Sequence, residues 1–331
     1  MKNEKRLAAL VLAVLMMVCM TAAASAEEAK TAKIGILQYV EHESLDASAK
    51  GFMDVLLENG YTEDCFTFAN ASGDNATLQM MASDFADGYD LVLAVATPVA
   101  QALSAVTDST PILGTAITDY VSAGLVMSEE TPGANVSGTS DMSPIAEQID
   151  LLLKLAPEAK NIGVMYTSSE VNSQVQADEA IAYIESLGLT PVVKTITAVG
   201  DMQQAMESVV GKVDAIFIPT DNIFASAMEI VAQVAGLNKL AVVAGASSMV
   251  EVGGLATYGI DYYELGRQTG LMALEILENG AEISQMPVQH QTEFAVYLNQ
   301  AMADEIGVTF PEDLLERAAA IWPLAEDASA E

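Results

Sequence analysis

Hydrophobic residues along the chain alternate between short unbroken runs and longer stretches in which they recur every three or four positions. Residues 33–37 form a short apolar run, and after a polar loop the apolar positions between Leu45 and Leu56 follow helical spacing until Gly60. Such runs are typical of strands buried on both faces of a parallel sheet, and helical spacing of this kind is typical of the covering helices. The pattern therefore predicts strands and helices in alternation.

The same order of elements recurs in the second half of the chain. A shift of 128 residues places the apolar run 161–165, with the polar loop and helical stretch after it, opposite the first strand and its helix. Shifts of 124 and about 130 then align the run beginning at Leu91 with that beginning at Ala215, and residues 111–115 with 241–245. Any two α/β domains share part of such a pattern, but three strands matching in order favour a duplicated architecture. We expect two parallel sheets with right-handed crossovers, facing each other across a cleft.

Composition and charge narrow the function classes. Hydrophobic residues make up 51% of the 331 positions, which excludes a chain that is disordered throughout and suggests about two domains. A formal net charge of −33 repels phosphate backbones and anionic lipids, so a nucleic-acid or membrane-surface binder is excluded. Two histidines and two cysteines are too few for a structural zinc site.

The N-terminus has the features of an export signal. A basic start at residues 1–6 precedes the apolar run 7–20, and small residues lead to a cleavage site after Ala26. The run is too short to span a membrane, so we expect a periplasmic or cell-surface protein, although an uncleaved anchor stays open. Large residues precede Cys19, which disfavours lipidation without excluding it. Cleavage leaves Cys65 as a single cysteine, expected to be a small buried hydrophobic residue.

Polar residues follow the predicted strands at the ends that would line the cleft. Hydroxyl groups and helix N-terminal amides suit a ligand carboxylate, and acidic side chains suit an ammonium group. Each residue alone is equally well explained as a helix cap. The candidate ligand-binding residues are Tyr39, Glu41, Thr97, Thr139, Ser140, Asp141, Ser169, Glu170, Asn172, Asp221, Asn222, Ser247 and Asp261.

Two of these candidates are assigned a more specific role. Asp221 follows an apolar strand and a threonine, so its carboxylate should have little solvent access, and Asp141 should face it from the first half. Either carboxylate could hold the ligand's ammonium group. The competing interpretation is that Asp221 caps a helix, a role that asparagine would fill as well.

Three motifs carry a resemblance to a known family: TSDM at 139–142, PTDN at 219–222 and YGIDYYELGRQTG at 258–270. With the segments around them, the chain resembles the ABC-transporter substrate-binding proteins of the tryptophan/aromatic amino-acid receptor type from about Lys33 to Leu315. The resemblance implies an α/β, type I periplasmic-binding-protein fold with two Rossmann-like lobes and parallel sheets. It also implies capture of a small solute, often an aromatic or other hydrophobic amino acid. Family members carry an acidic residue near Ala246, where this chain reads GASSM.

The resemblance also implies a division of the chain. A signal peptide covers 1–26 and an acidic tail covers 323–331. Lobe 1 comprises 33–141 plus 261–285, and lobe 2 comprises 142–260 plus 286–322. Three hinge segments lie near Asp141, Ile260 and Gln289.

The expected function is that of an extracytoplasmic solute receptor that delivers its ligand to an ABC permease subunit driven by a separate ATPase. The chain has no GxSxG nucleophile motif and no GxxxxGK[ST] phosphate loop, so we expect a binding protein that is not an enzyme and needs no cofactor or metal. We also expect it to be a monomer. Two alternatives stay open: a sensory component presenting its closed form to a receptor, and, with less support, a secreted hydrolase with a cleft carboxylate pair.

The three hinge segments predict that the lobes close on the ligand. Small-angle X-ray scattering of the mature protein should therefore give a smaller radius of gyration when a ligand found by thermal-shift screening is saturating. A solute that produces no thermal shift serves as the control. An unchanged radius at saturation would contradict hinge closure.

Overall fold

The computed structural model describes residues 30–323. The predicted signal peptide at 1–26 and the acidic tail from residue 324 lie outside the described residues. Within 30–323, none of the helices combines the length and the apolarity that crossing a membrane requires.

A first parallel sheet is built mainly from the N-terminal half. Within the described residues it contains six strands in the order β11-β5-β4-β3-β1-β2, every neighbouring pair being parallel. Strands β1, β3 and β4 are buried along their whole length, as their apolar runs predict, and β5 is buried along its whole length despite its polar sequence. The strands are β1 (Ile34–Gln38), β2 (Phe66–Asn70), β3 (Leu91–Val95), β4 (Ile112–Ile117), β5 (Val136–Ser140) and β11 (Gln289–His290).

A second sheet repeats this arrangement. Seven strands of the described chain follow the order β13-β12-β10-β9-β8-β6-β7, with β12 antiparallel to β10 and the other pairs parallel. The order β7-β6-β8-β9-β10 matches β2-β1-β3-β4-β5, so the duplicated α/β architecture is confirmed. The strands are β6 (Asn161–Thr167), β7 (Thr190–Ile196), β8 (Ala215–Ile218), β9 (Ala241–Ala244), β10 (Ala256–Gly259), β12 (Ala295–Asn299) and β13 (Ala318–Trp322).

Helices connect the strands and cover the sheets. Short 3-10 turns at Glu63–Cys65, Val199–Asp201 and Ile283–Gln285 complete the connections. The α-helices are α1 (Glu43–Glu58), α2 (Asn75–Asp84), α3 (Thr97–Ser104), α4 (Ile145–Leu155), α5 (Val171–Ser186), α6 (Met202–Val209), α7 (Asn222–Ser226), α8 (Met228–Asn238), α9 (Ser247–Val252), α10 (Tyr262–Asn279), α11 (Gln300–Ile306) and α12 (Glu312–Arg317).

The chain crosses between the two sheets after β5, after β10 and after β11. Helix α10 follows a strand of the second sheet but packs against α1 beside the first sheet. The predicted division of the chain places residues 286–322 in the second lobe. Gln289 and His290 instead pair with Thr139 and Ser140 of the first sheet, so this crossing lies after His290. Strand β11 is only two residues long, which is too short to produce a recognisable hydrophobic pattern in the sequence.

The buried apolar residues form two clusters, and the buried apolar residues of strands β1, β3, β4, β6, β8 and β9 belong to one or the other. Cys65 is buried and reduced, 7% exposed, in the role of a small apolar residue. The long helices α1 and α10 approach each other through glycines. A Cβ at Gly51 would overlap the backbone of Tyr263, and a Cβ at Gly266 would overlap the carbonyl of Ser48. Close packing of these two helices therefore depends on the absence of side chains there.

We expect Gly266→Ala to destabilise the protein by roughly 1–3 kcal/mol, because the added methyl group meets backbone that can move only if the helices separate. Urea unfolding of both variants measures the effect. The control is Gly200→Ala, since a Cβ at Gly200 meets no atom within 4 Å; it should stay within about 0.5 kcal/mol of wild type. Equal stability of the two variants would contradict the importance of this contact.

Candidate functional site

A narrow cavity of about 10 Å³ lies between the carboxyl ends of the two sheets. Because this volume accommodates about one water molecule, a larger ligand requires the two halves to move apart around it. Elements of both sheets contribute side chains, as expected of ligand sites in open α/β sheets. The lining residues are His42, Ser44, Leu45, Ala116, Thr118, Asp141, Asn172, Thr220, Asp221, Asn222, Ala225, Ala246, Met249 and Tyr262.

Hydrogen bonds from both sides hold the cleft closed around this cavity. The Ser44 hydroxyl at the start of α1 lies 2.7 Å from the Ser248 hydroxyl in α9. The His42 Nε2 atom lies 3.3 Å from Oδ1 of Asn222, which belongs to the second half. The structure therefore represents the closed arrangement of the two halves.

Asp141 directly follows β5, where the chain first crosses between the sheets. Its carboxylate is 1% exposed and accepts hydrogen bonds from the Thr118 and Tyr262 hydroxyls, each at 2.9 Å. Burial raises the pKa of Asp141 above its usual range, and the two hydroxyl groups only partly offset this. Each oxygen keeps a free lone pair, so this carboxylate can still accept a donor from a ligand.

Asp221 follows β8 and caps α7, so the cap interpretation describes its contacts correctly. Its Oδ1 atom accepts from the Phe224 N–H at 2.9 Å and the Thr167 hydroxyl at 2.8 Å, and Oδ2 accepts from the Thr167 N–H at 2.6 Å. Burial raises the pKa of Asp221 despite these donors. The same carboxylate lines the cavity, so capping and ligand contact are compatible.

Glu170 lies behind the cavity wall and fixes its polar side chains. It is 1% exposed and accepts from the side-chain amides of Asn172 and Asn222, at 3.1 and 2.5 Å, and from the N–H groups of Asn222 and Ile223. Burial, followed by the nearby charge of Asp221, raises the pKa of Glu170. Glu170 therefore fixes the orientation of two asparagines that line the cavity.

The site lacks a positive partner of its own. Among residues 30–323, the lining of the cavity includes no lysine and no arginine. Buried carboxylates are costly unless a cation or several donors compensate them. The chemical environment therefore favours a ligand that brings a positive charge.

Small apolar side chains form the rest of the wall. Its apolar members are Ala116, Ala225 and Ala246 together with Leu45 and Met249. Ala116 has a left-handed φ of 54°, in a strand irregularity of β4. Such backbone strain persists only where the surroundings impose it, and it is frequent at ligand sites.

Of the thirteen candidates, the structure brings Asp141, Asn172, Asp221 and Asn222 to the cavity, with Glu170 behind them. Four others are buried near the carboxyl ends but lie outside the lining. Tyr39 bonds to Asn75 at 3.1 Å, and Thr139 to Thr269 at 2.8 Å. Ser140 donates to the Thr118 carbonyl, whereas Thr97 begins α3 with a hydroxyl that has no partner among residues 30–323.

The remaining four candidates lie farther out. Glu41 borders a groove at the mouth of the cleft, and Ser169 is exposed. Ser247 is partly exposed at the start of α9. Asp261 is exposed and caps α10 by accepting from the Glu264 N–H, so its contact is that of a cap. The polar residues after the strands thus divide between the cavity, its surroundings and helix caps.

The candidate set omitted several residues that line the cavity. Thr118 and Tyr262 complete the Asp141 environment, and His42 and Ser44 come from the loop and first turn after β1. Their positions just beyond strand ends were a usable signal. Met249 gave none, because an apolar residue in a short helix is indistinguishable in sequence from core.

Neither side of the cavity offers a metal centre. Within the described range 30–323, no cluster of three or more histidine, cysteine or acidic side chains is arranged to hold a metal ion.

Comparison with known proteins identifies relatives across nearly the whole described chain. The family model for ABC transporter substrate binding proteins matches residues 33–321. A tyrosine-binding protein of Clostridioides difficile is 43% identical over 275 residues, covering 82% of this chain and 79% of that protein. Solved structures include the ABC domain of Streptococcus pneumoniae in complex with L-Trp: 39% identity, TM-score 0.83, 87% of this chain and 100% of that one.

A second solved structure bears on the conformation. The ligand-free, open structure of a substrate binding protein with adhesive properties from Clostridium difficile is 44% identical, covering 86% of this chain and 97% of that one. Its TM-score is 0.65, below the 0.83 of the less similar L-Trp complex. This agrees with the closed arrangement seen in the contacts across the cleft.

The two cavity aspartates should respond differently to replacement by asparagine. In Asp221→Asn the new NH₂ group must face the backbone N–H of either Thr167 or Phe224. A backbone N–H cannot turn to accept a hydrogen bond, so we expect the free energy of unfolding to fall by roughly 1–3 kcal/mol. In Asp141→Asn the hydroxyl partners can rotate and accept, and a buried charge is removed. That variant should unfold within about 1 kcal/mol of wild type or be more stable.

Urea unfolding of both ligand-free variants at neutral pH provides the comparison, with each serving as the control for the other. An Asp221→Asn protein as stable as Asp141→Asn would mean that the backbone donors around Asp221 are not essential.

Proposed function

The chain belongs to the family of ABC transporter substrate-binding proteins, and on that basis we propose that it captures a free amino acid with an aromatic side chain in the cleft, at the position of this cavity. The family is one of solute-binding proteins rather than enzymes. We infer the ligand class from two buried carboxylates, those of Asp141 and Asp221, in a lining of the described residues that includes no lysine and no arginine.

The ammonium group of an amino acid supplies the missing charge. Asp141 is the better receptor, because its two hydroxyl contacts leave lone pairs free, whereas three protein donors already surround Asp221. A charge-assisted hydrogen bond in this desolvated setting contributes roughly 1.5–3 kcal/mol.

The apolar wall and the relatives favour an aromatic side chain. Three alanines, Leu45 and Met249 give the lining an apolar part that suits an aromatic ring once the cleft widens around the ligand. The relatives named above include a tyrosine-binding protein and a domain in complex with L-Trp. We therefore place tyrosine and tryptophan first among the ligands to be tested.

The proposed cellular role follows from the family. The protein is exported by its N-terminal signal and works at the periplasmic or outer cell surface. It acts as a monomer and delivers the amino acid to an ABC permease subunit with a separate ATPase.

Isothermal titration calorimetry of the mature protein should detect binding of L-tyrosine and L-tryptophan. Asp141→Asn should weaken their binding about tenfold to 150-fold, the affinity equivalent of one charge-assisted hydrogen bond. The deaminated analogue 3-(4-hydroxyphenyl)propionate lacks the ammonium group, so it should bind wild type weakly. Its affinity for the Asp141→Asn variant should be no lower than its affinity for wild type.

Arg267→Gln provides a control, because Arg267 pairs with Glu58 on the outer surface of the α1–α10 contact. Its affinity should match wild type. Absence of binding for every amino acid tested would overturn the proposed ligand class. Equal affinity of wild type and Asp141→Asn would overturn the ammonium assignment while leaving the ligand class intact.

A further inference from the structure

Two polar atoms in the cavity lining are buried without a hydrogen-bond partner among residues 30–323. They are the Nδ1 atom of His42 and the Oδ1 atom of Asn172. Buried polar groups are nearly always paired in proteins, because an unpaired one costs free energy. Both residues line the cavity, so a bound ligand is in a position to pair with these atoms.

A chain of hydrogen bonds fixes the character of the His42 atom. The Glu170 carboxylate accepts from the Asn222 amide nitrogen, which turns the Asn222 Oδ1 atom toward His42. Because Oδ1 is an acceptor, the His42 Nε2 atom at 3.3 Å carries the hydrogen. Burial lowers the pKa of His42 to about 4, so the ring is neutral at physiological pH. Its Nδ1 atom is therefore a buried acceptor without a partner among residues 30–323, on a side chain that lines the cavity.

Asn172 is oriented in the same way. Its amide nitrogen donates to Glu170 and to the Thr220 carbonyl, at 3.1 and 3.0 Å, which leaves Oδ1 as an acceptor. The unpartnered side-chain atoms of the lining are thus acceptors of hydrogen bonds. A matching ligand must present donors at more than one point.

The two ends of the cavity differ. His42 and Ala225 border both the cavity and the groove at the mouth of the cleft. Asp141 and Tyr262 border the cavity but not that groove, and they lie where the chain crosses between the sheets. An ammonium group held by Asp141 therefore leaves the ligand's side chain to extend toward His42, past Leu45 one turn farther along α1.

We propose that His42 determines specificity by accepting a hydrogen bond through Nδ1 from a donor on the ligand's side chain, the phenol O–H of tyrosine or the indole N–H of tryptophan. This rests on the proposed function. Phenylalanine fills the same space but leaves Nδ1 buried and unpaired. A site built around such an acceptor rejects the analogue that lacks the donor.

Calorimetric titration of wild type with L-tyrosine and L-phenylalanine tests the assignment, with L-tryptophan against 3-benzothienyl-L-alanine as a second pair in which sulfur replaces the N–H. Wild type should bind the donor-bearing member of each pair at least about tenfold more tightly. His42→Phe keeps a ring but removes both nitrogens, and both ratios should fall to within about threefold of unity. His42→Asn keeps a polar atom near the Nδ1 position and should restore part of the preference.

The matched control is His290→Phe, since His290 is the other histidine of the sequence and lies outside the cavity, 3.0 Å from Glu129. It should leave both ratios at the wild-type value, because any effect on closure cancels between two ligands of the same size. Circular dichroism confirms that each variant is folded.

Two results would overturn the proposal. One is a wild-type preference below threefold for both pairs, and the other is an equal loss for tyrosine and phenylalanine in His42→Phe, which would place His42 against the amino-acid backbone. Either result leaves the proposed function standing as long as the amino acids bind. Failure of all four ligands to bind wild type would instead refute the proposed function itself.

Discussion

Burial of carboxylates between two sheets is the constraint on which the rest of this structure depends. Asp141, Asp221 and Glu170 are each 1% exposed, and burial raises the pKa of each. Such groups are tolerated because hydroxyl, amide and backbone donors surround them. Those donors come from strand ends and helix starts of both halves. The arrangement is satisfied within the protein but not neutralised, and this keeps it receptive to a cation.

The duplicated architecture explains how these groups meet. Parallel strands end at the same edge of a sheet, so each half collects its loop side chains at one edge. The crossings after β5, β10 and β11 turn the two edges toward each other. Helix α10 follows a strand of the second sheet and packs through Gly266 on α1 of the first half. The same connection brings Tyr262, the first residue of α10, to Asp141.

The polar side chains of the cavity act as a connected set. Glu170 does not line the cavity, yet it orients the side chains of Asn172 and Asn222. Asn222 in turn determines which nitrogen of His42 carries the hydrogen. A buried network in which each member fixes the next specifies a single arrangement of donors and acceptors. Selectivity for a ligand then depends on residues one step behind the lining as well as on the lining itself.

The sequence by itself determined the alternation of strands and helices, the duplication of the two halves and the strand ends at which polar residues gather. These features are local or periodic, so they can be read from hydrophobic spacing. It also identified Asp141, Asn172, Asp221 and Asn222, which follow or begin elements at the cleft. Tertiary structure alone decided that Asp261 is an exposed cap and Asp221 a buried one, because equal capping geometry says nothing about what covers the residue. The roles of His42 and of Gln289–His290 likewise arise from contacts across long separations in sequence, which periodicity cannot encode.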